Sequence, residues 1–224
     1  IATINSQSEK DGLPISAHVV YPKSDQTFWA NLLGRGYPAP RQSFRWCTER
    51  MKIDPVTAFI TGKVAEFGEV VVGLGSRSQE SASRAQVIAK HRIDGSALSR
   101  HTTLPNAYTY MPIQDWSADE VWEYLLSAPC PWGGDNMELF ELYKGSNQGE
   151  CPLVIDTSTP SCGNSRFGCW TCTVVTEDKA IHSLIESGME WMRPLLEFRN
   201  GLYDSTIPEN KTKYRNHKRR TGRV

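Results

Sequence analysis

Cysteine is the residue type with most chemistry to offer in this sequence. Cys151, Cys162, Cys169 and Cys172 follow one another at intervals of ten, six and two intervening residues. The Cys169-x-x-Cys172 pair lets two thiolates reach one centre from a single turn, and Gly168 lets the backbone bend close to it. Three chemistries compete: disulfides, zinc, or an iron–sulfur cluster. Zinc normally takes two Cys-x-x-Cys or Cys-x-x-His knuckles. One such knuckle is present, and His182 lies ten residues beyond it. A [4Fe–4S] cluster accepts one Cys-x-x-Cys and two distant cysteines, so the spacing points first to iron–sulfur, with zinc and unmetallated thiols as alternatives. A thioredoxin-type pair is disfavoured, because it should follow a strand and open a helix. Far upstream, in FRWCTERMKIDP, Cys47 is followed by Arg50 and Lys52. A thiol beside two cations reads as an activated thiolate or as a metal ligand next to an anion site. A buried cysteine with two surface cations is the plainer reading. Cys130, in SAPCPWGG, reads as an isolated apolar filler.

A second constellation follows a β-branched run. EVVVGLG leads into Ser-Arg-Ser-Gln-Glu-Ser-Ala-Ser-Arg, so Gly75, Arg77, Glu80, Ser81 and Arg84 fall at the end of a predicted strand. In open α/β sheets ligands bind at that edge, and two guanidinium groups there suit a phosphate. Solvated surface arginines are the alternative.

The elements that must position these groups are legible in outline. Residues 15–21, 69–75 and 107–112 read as strands. Asp54 before Pro55 predicts a helix from Pro55 to about Glu66. Helices are also predicted over 27–33 (short), 81–91, 136–144, 177–187 and 189–199. SADEVWEYLLS is the clearest helix, with Ser117 and Glu120 as a capping box and Val121, Trp122, Leu125 and Leu126 as its apolar face. The stretch 94–106 reads as loop, and 145–176 is rich in glycine, proline and cysteine. Alternation of strands and helices predicts an α/β fold with a mostly parallel sheet flanked by helices, followed by a loop-rich, helical, cysteine-containing C-terminal part. The predicted division is 1–115 for a nucleotide-binding domain and 116–224 for a helical, metal-binding region. Trp116, Trp122, Trp132, Trp170 and Trp191 are expected to pack in the core rather than stack on bases.

Bulk properties bound the answer. The 224 residues include 39% hydrophobic residues and seven Trp, enough for a sizeable core. Formal net charge is zero, so nucleic acid would not be recruited by overall charge. The run KTKYRNHKRRTGRV nevertheless carries seven Lys or Arg and no acid, which is either a solvated end or a phosphate-contacting arm. No run of eighteen apolar residues occurs, so no membrane-spanning helix and no membrane partner are expected. No signal peptide opens the sequence, so a cytoplasmic location with reduced cysteines is expected. The opening Ile1 and the closing basic run suggest a piece of a longer chain.

Taken together, Cys47-x-x-Arg50-x-Lys52-x-x-Pro55 and Gly75-x-Arg77-x-x-Glu80-Ser81-x-x-Arg84 resemble the adenosine phosphosulfate and phosphoadenosine phosphosulfate reductase family. The stretches HTTLPNAYTYMPIQDWSADEVWEYLL, PWGGDN, GECPLVIDTSTPSCGNSRFGCWTCTVV and EWMRPLLEFRN are similar to the DndC-type ATP pyrophosphatases of bacterial DNA phosphorothioation systems. The resemblance covers nearly the whole chain. It implies an adenine-nucleotide α-hydrolase-like fold, ATP with Mg2+, a [4Fe–4S] cluster, and activation of a DNA backbone oxygen for replacement by sulfur. It implies three kinds of partner: DNA, a cysteine desulfurase as sulfur donor, and other phosphorothioation proteins. The reductase pattern pairs a cysteine in the Cys47 segment with the downstream Cys-x-x-Cys. Cys47, Cys169 and Cys172 are then ligands, with Cys151 or Cys162 as the fourth; without Cys47, the other four make a set. Four cysteine ligands would leave no iron site free for sulfide, which favours a structural or electron-transfer role. Arg50, Lys52, Arg77 and Arg84 are the candidate catalytic cations, with Gly75, Glu80 and Ser81 beside the nucleotide; Arg35 and Arg166 are weaker candidates. The family's Ser-Gly-Gly-x-Asp-Ser nucleotide loop does not occur in the 224 residues and is expected upstream of Ile1. Two rivals remain open: a thiol-dependent sulfonucleotide reductase, and a non-catalytic iron–sulfur or zinc scaffold.

Overall fold

The computed structural model of the protein describes residues 1–80, 82–131, 133–146 and 169–214, with Ser83 and Arg84 described in backbone only. Ser81, Trp132, Cys151, Cys162, Arg166 and the basic residues 215–224 lie outside the described residues. The helices, in chain order, are α1 (Ala2–Lys10), α2 (Trp46–Thr48), α3 (Asp54–Phe67), α4 (Ala82–His91), α5 (Ala118–Ser127), α6 (Asn136–Ser146), α7 (Lys179–Glu186), α8 (Arg193–Asp204) and α9 (Lys211–Tyr214). The strands are β1 (Val70–Gly73), β2 (Leu98–Arg100) and β3 (Ala107–Tyr110). The chain forms two compact units that interleave in sequence. Among the described residues, one holds Ile1–Val19 and Thr57–Glu141, and the other holds Val20–Val56, 142–146 and 169–214. No helix among the described residues is long and apolar enough to cross a membrane.

The first unit is built on a three-stranded sheet of order β1-β3-β2. Strand β1 runs parallel to β3, pairing Val70 with Ala107 and Gly73 with Tyr110. Strand β2 is antiparallel to β3, pairing Leu98 with Tyr110 and Arg100 with Tyr108. The α/β class therefore stands, with a mixed sheet. Helix α3 is closed by Gly68, whose φ of 85° is the left-handed cap that lets the chain reverse into β1. Its N–H donates to the Val64 carbonyl at 2.8 Å. Helix α5 carries the predicted capping box: Glu120 N–H donates to Ser117 Oγ, and Ser117 N–H donates to Glu120 Oε2. Trp122 is buried on α5 and meets Phe140 of α6 edge-on at 5.3 Å. Asn136 Nδ2 donates to the Leu125 and Ala128 carbonyls, tying the start of α6 to the end of α5.

Two expectations for this unit fail for one physical reason. Residues 15–21 form no strand, and Ile15 and Tyr21 are exposed. The backbone of this segment is satisfied by side chains of α1 instead of by a ladder. Asn5 both accepts from the Ala17 N–H and donates to the Ala17 carbonyl, and Ser8 Oγ serves the Leu13 and Ile15 carbonyls. Conversely, 94–106 is not all loop: three of its residues become β2 because β3 offers them a partner edge. A run's own composition does not state who will pair with it.

The second unit packs around aromatic and aliphatic side chains. Phe28 and Trp46 are buried and stack at 5.5 Å, and Trp46 Nε1 donates to the Pro38 carbonyl at 3.0 Å. Helix α7 buries Ala180, Ile181, Leu184 and Ile185, and its N-cap Asp178 accepts from the Ile181 N–H. Burying each of its large aliphatic side chains contributes roughly 1.5–3 kcal/mol. The helix predicted to begin at Pro55 behind an Asp54 cap begins earlier. Helix α2 runs into a π-helical turn, Glu49–Ile53, in which Asp54 N–H donates five residues back to Glu49. Proline at 55 has no N–H to continue the i−4 ladder, and the wider turn absorbs that gap. The 27–33 helix likewise resolves into a π-helical turn, Ala30–Gly34.

Candidate thiolate centre and anion-binding segments

The second unit gathers three of the predicted cysteines. Cys47 sits on α2 and is half-buried. Cys169 is exposed and Cys172 half-buried, in a turn closed by Cys172 N–H donating to the Cys169 carbonyl at 3.0 Å. Burial pushes the Cys47 thiol above its ordinary pKa; the neighbouring Cys169 thiol adds to the rise, Thr48 opposes it by hydrogen bonding, and Cys172 adds again. Cys47 thus feels the charge of two sulfurs more than a hundred residues away in sequence. What brings them together is one buried bond: Thr173, 2% exposed, donates its hydroxyl to the Pro40 carbonyl at 2.5 Å. Pro40 belongs to the loop that leads into α2, so this bond fastens the Cys-x-x-Cys turn to the Cys47 segment. Cys169 Sγ also lies 3.3 Å from Thr171 Oγ1.

A second bond set fixes the same turn from α8. Arg199 has no exposed surface. Its Nε donates to the Cys172 carbonyl at 2.9 Å, Nη1 to Thr176 at 2.8 Å, and Nη2 to Val175. The Tyr203 ring lies 5.3 Å from the guanidinium carbon. Sequence reading missed Arg199 and Thr173. A signal exists for the arginine: Leu196, Arg199 and Tyr203 share the helical spacing of a packed face, so a cation stands where an apolar residue is expected. Trp170 is half-buried against the exposed Phe198 ring at 5.9 Å, and Trp191, on the short turn before α8, is 69% exposed, so neither is the core residue expected.

Three free cysteines, Cys47, Cys169 and Cys172, share this unit. Among the described residues no group of three or more His, Cys, Asp or Glu is close enough to hold a metal ion as it stands. Cys151 and Cys162 lie outside the described residues. Cys130 belongs to the first unit.

The candidate cations divide by what they already hold. Arg50, on the π-turn after Cys47, donates to Asn31 Oδ1 at 2.5 Å and to the Tyr37 hydroxyl at 3.0 Å, with its guanidinium over the Tyr37 ring. Arg35 pairs with Asp25 at 2.6 Å and also donates to Asn31, whose side chain is fully buried. Lys52, on the same turn as Arg50, is exposed and has no ion-pair partner among the described residues. In the first unit, β1 ends and Leu74 N–H donates to the Tyr110 carbonyl, carrying the chain to Gly75. Arg77 is buried, donates to the Trp116 carbonyl at 3.3 Å and faces Glu80 at 3.8 Å. Ser78 N–H is taken by the Gln114 carbonyl. Arg84 lies in the first turn of α4, its side chain outside the described residues together with Ser81. Gly75 has no positive φ, and a Cβ there would meet the Ile113 Cδ1 at 3.9 Å, an ordinary contact.

No solved structure matches the chain at a significant level. An uncharacterized protein of Methanocaldococcus jannaschii is 33% identical over 107 residues, which is 48% of this chain and 20% of that protein. The matched stretch thus spans a fifth of the length of that curated relative. Residues 10–175 match the phosphoadenosine phosphosulfate reductase domain, a family of enzymes that act on nucleotides. That match covers most of the sequence and includes the Cys47 segment, the β1–Arg84 segment and the Cys169–Cys172 pair, so the chain belongs to the phosphoadenosine phosphosulfate reductase domain family.

Proposed function

We propose that this chain is part of a DndC-type, [4Fe–4S]-dependent ATP pyrophosphatase that adenylates a backbone phosphate of DNA for sulfur incorporation. The family membership supports nucleotide chemistry in general. The observation that supports the finer reading is that Cys47, Cys169 and Cys172 share one unit, in which the Thr173 hydroxyl bonds the segment after the Cys-x-x-Cys turn to Pro40 ahead of Cys47. Cys151 or Cys162 would complete the ligand set. When bound, such a cluster would supply a redox-capable or structural centre held by thiolates.

The chemistry demands cations. A non-bridging oxygen of the DNA phosphate attacks the α-phosphorus of ATP, the bond to the bridging oxygen breaks, and pyrophosphate leaves with the electron pair. Two anions must approach for this, and fixed positive charge offsets their repulsion. Lys52 is exposed and unpaired among the described residues, so it is the cation able to meet an anion directly. Arg50 and Arg77 act from within their own bond networks, Arg50 by shaping the turn that carries Lys52 and Arg77 by holding the loop after β1. Within the first unit, Arg84 of α4 would add a further cation for the nucleotide, with Gly75, Glu80 and Ser81 flanking it. The outer sulfur of a desulfurase-derived persulfide would then attack the adenylated phosphorus and displace AMP, which carries off the activated oxygen, and a thiol reductant would cleave the resulting S–S bond with two electrons to leave the phosphorothioate. DNA, the desulfurase and further phosphorothioation proteins are the partners, and the cytoplasm is the location.

A second reading has its own support, because the matched family is described by sulfonucleotide reduction. One set of assays separates them. Protein purified without oxygen is given ATP with and without DNA, then adenosine phosphosulfate or its 3′-phosphorylated form with a thiol reductant. DNA-stimulated pyrophosphate release supports the proposal; sulfite release without pyrophosphate supports the reductase and overturns the proposal.

A further inference from the structure

Asn31 is fully buried, and its side-chain oxygen is shared by two cations. Arg35 Nη1 donates to Oδ1 at 3.2 Å and Arg50 Nη1 donates to the same atom at 2.5 Å, so the two guanidinium groups are neighbours. The amide is itself held: Nδ2 donates to the Thr27 carbonyl at 2.9 Å, and the Asn31 carbonyl accepts from the Tyr37 N–H at 3.0 Å. Like charges so close repel, and an amide oxygen does not neutralise them. Part-buried cations gathered on one atom ordinarily face an anion. The pair has one carboxylate, Asp25, which meets Arg35 at 2.6 Å and is largely exposed, where an ion pair contributes little. Among the described residues Arg50 has no carboxylate within ion-pair distance; its second partner is the Tyr37 hydroxyl.

We infer that Asn31 is the positioning residue of an oxyanion site, in which Arg35 and Arg50 receive a tetrahedral anion, the phosphate or sulfate group of a nucleotide. The inference rests on these contacts and on the family's nucleotide chemistry, and on no metal. Each guanidinium carries five N–H donors in a fixed fork. Arg50 uses two, on Asn31 and Tyr37, and Arg35 uses three, on Gln26, Asn31 and Asp25, so five of the ten are left over among the described residues. The Tyr37 hydroxyl accepts from Arg50 through its oxygen and keeps its own hydrogen to donate. Lys52 meets an anion as it stands, whereas the pair meets one through these remaining donors. Arg50 therefore has a task besides shaping the turn that carries Lys52. Orienting both forks before the ligand arrives removes the cost of ordering two long side chains. Asparagine suits the hub because it orients the pair and leaves its charge for the ligand; an aspartate there would be a permanent substitute for that ligand.

The test titrates the full chain with inorganic phosphate and with sulfate, each against chloride at matched ionic strength, reading heat by calorimetry and the thermal midpoint. Wild type, Asn31→Asp, Arg35→Met and Tyr37→Phe are compared. Wild type should bind phosphate or sulfate and be stabilised by it, with no response to chloride, and the anion that binds tighter names the group the site takes. Asn31→Asp and Arg35→Met should each weaken that binding roughly tenfold or more, and Tyr37→Phe roughly threefold. A hub that merely ties the loop together would leave anion affinity untouched in Asn31→Asp. Wild-type affinity in Asn31→Asp or in Arg35→Met overturns the inference, and should Asn31→Asp fail to fold, Arg35→Met decides alone. A wild type that ignores both anions, or responds equally to chloride, also overturns it. Absence of DNA-stimulated pyrophosphate release, measured separately, overturns the adenylation reading and leaves this site standing.

Discussion

The Cys47–Cys169–Cys172 locus and the Gly75–Arg84 segment were equally prominent in sequence, yet the two differ in kind. The first is assembled from chain segments far apart, joined by the Thr173–Pro40 bond and by Arg199. The second is local, a loop between β1 and α4, and its best-described cation is turned inward towards the Trp116 carbonyl and Glu80. Long-range convergence of reactive groups requires bonds that serve no local purpose, and so it is the stronger sign of a site. A local cluster of arginines is compatible with scaffolding alone.

The largest expected effect sharpens that contrast. Replacing both Cys169 and Cys172 with Ser should abolish metal uptake, measured as iron per chain, whereas Cys130→Ser in the other unit should leave it unchanged. Equal loss from both would erase the distinction between the units. Next, Arg77→Met should cost about 1–3 kcal/mol of stability in urea unfolding, because the Trp116 carbonyl and Glu80 lose their buried partner. Lys52→Met should leave the urea midpoint in place and weaken DNA-stimulated pyrophosphate release instead. The reverse pattern would move the anion site from the π-turn to the loop after β1.

How much of this could be read in advance depends on whether the signal is local. Helix α5 was legible because Ser117, Glu120 and the apolar spacing lie within one segment. Strands β1 and β3 were legible as β-branched or aromatic runs. The segment 15–21 carried the same signal and misled, since Asn5 and Ser8 take its backbone groups. Strand β2 is three residues long and exists only by pairing with β3. The π-turn at Glu49–Ile53 precedes Pro55, but the start of α2 at Trp46 depends on the packing of Trp46 against Phe28. At the candidate site, spacing and family resemblance pointed to Cys47, Cys169 and Cys172, and the fold puts the three in one unit. Arg199 was not, because an arginine within a helix ordinarily reads as solvated.

Smaller effects probe the electrostatics. Cys47 has a raised pKa in the folded chain, so its contribution to stability is intact below the unfolded thiol value, near 8.5, and is lost as pH rises through the folded value. Metal-free protein should accordingly show a urea midpoint that falls between pH 7 and pH 10, and Cys47→Ser should flatten that slope. An unchanged slope would mean that neither burial nor the neighbouring sulfurs raise the Cys47 thiol. Smallest of all, Ser117→Ala should cost about 1 kcal/mol through loss of the α5 cap. The Glu120 carboxyl is held below its ordinary value by the Ser117 N–H, so the capping box should weaken only as pH falls through the carboxylate range. Metal content should not respond to either change.

The central claim is that distant cysteines of the second unit form one thiolate-ligated centre. Iron and acid-labile sulfide quantitation on protein purified without oxygen tests it most directly. The account predicts about four of each per chain, in the ratio of a [4Fe–4S] cluster. Protein that is free of iron and sulfide after such handling, with Cys47, Cys169 and Cys172 all open to alkylation, would contradict it.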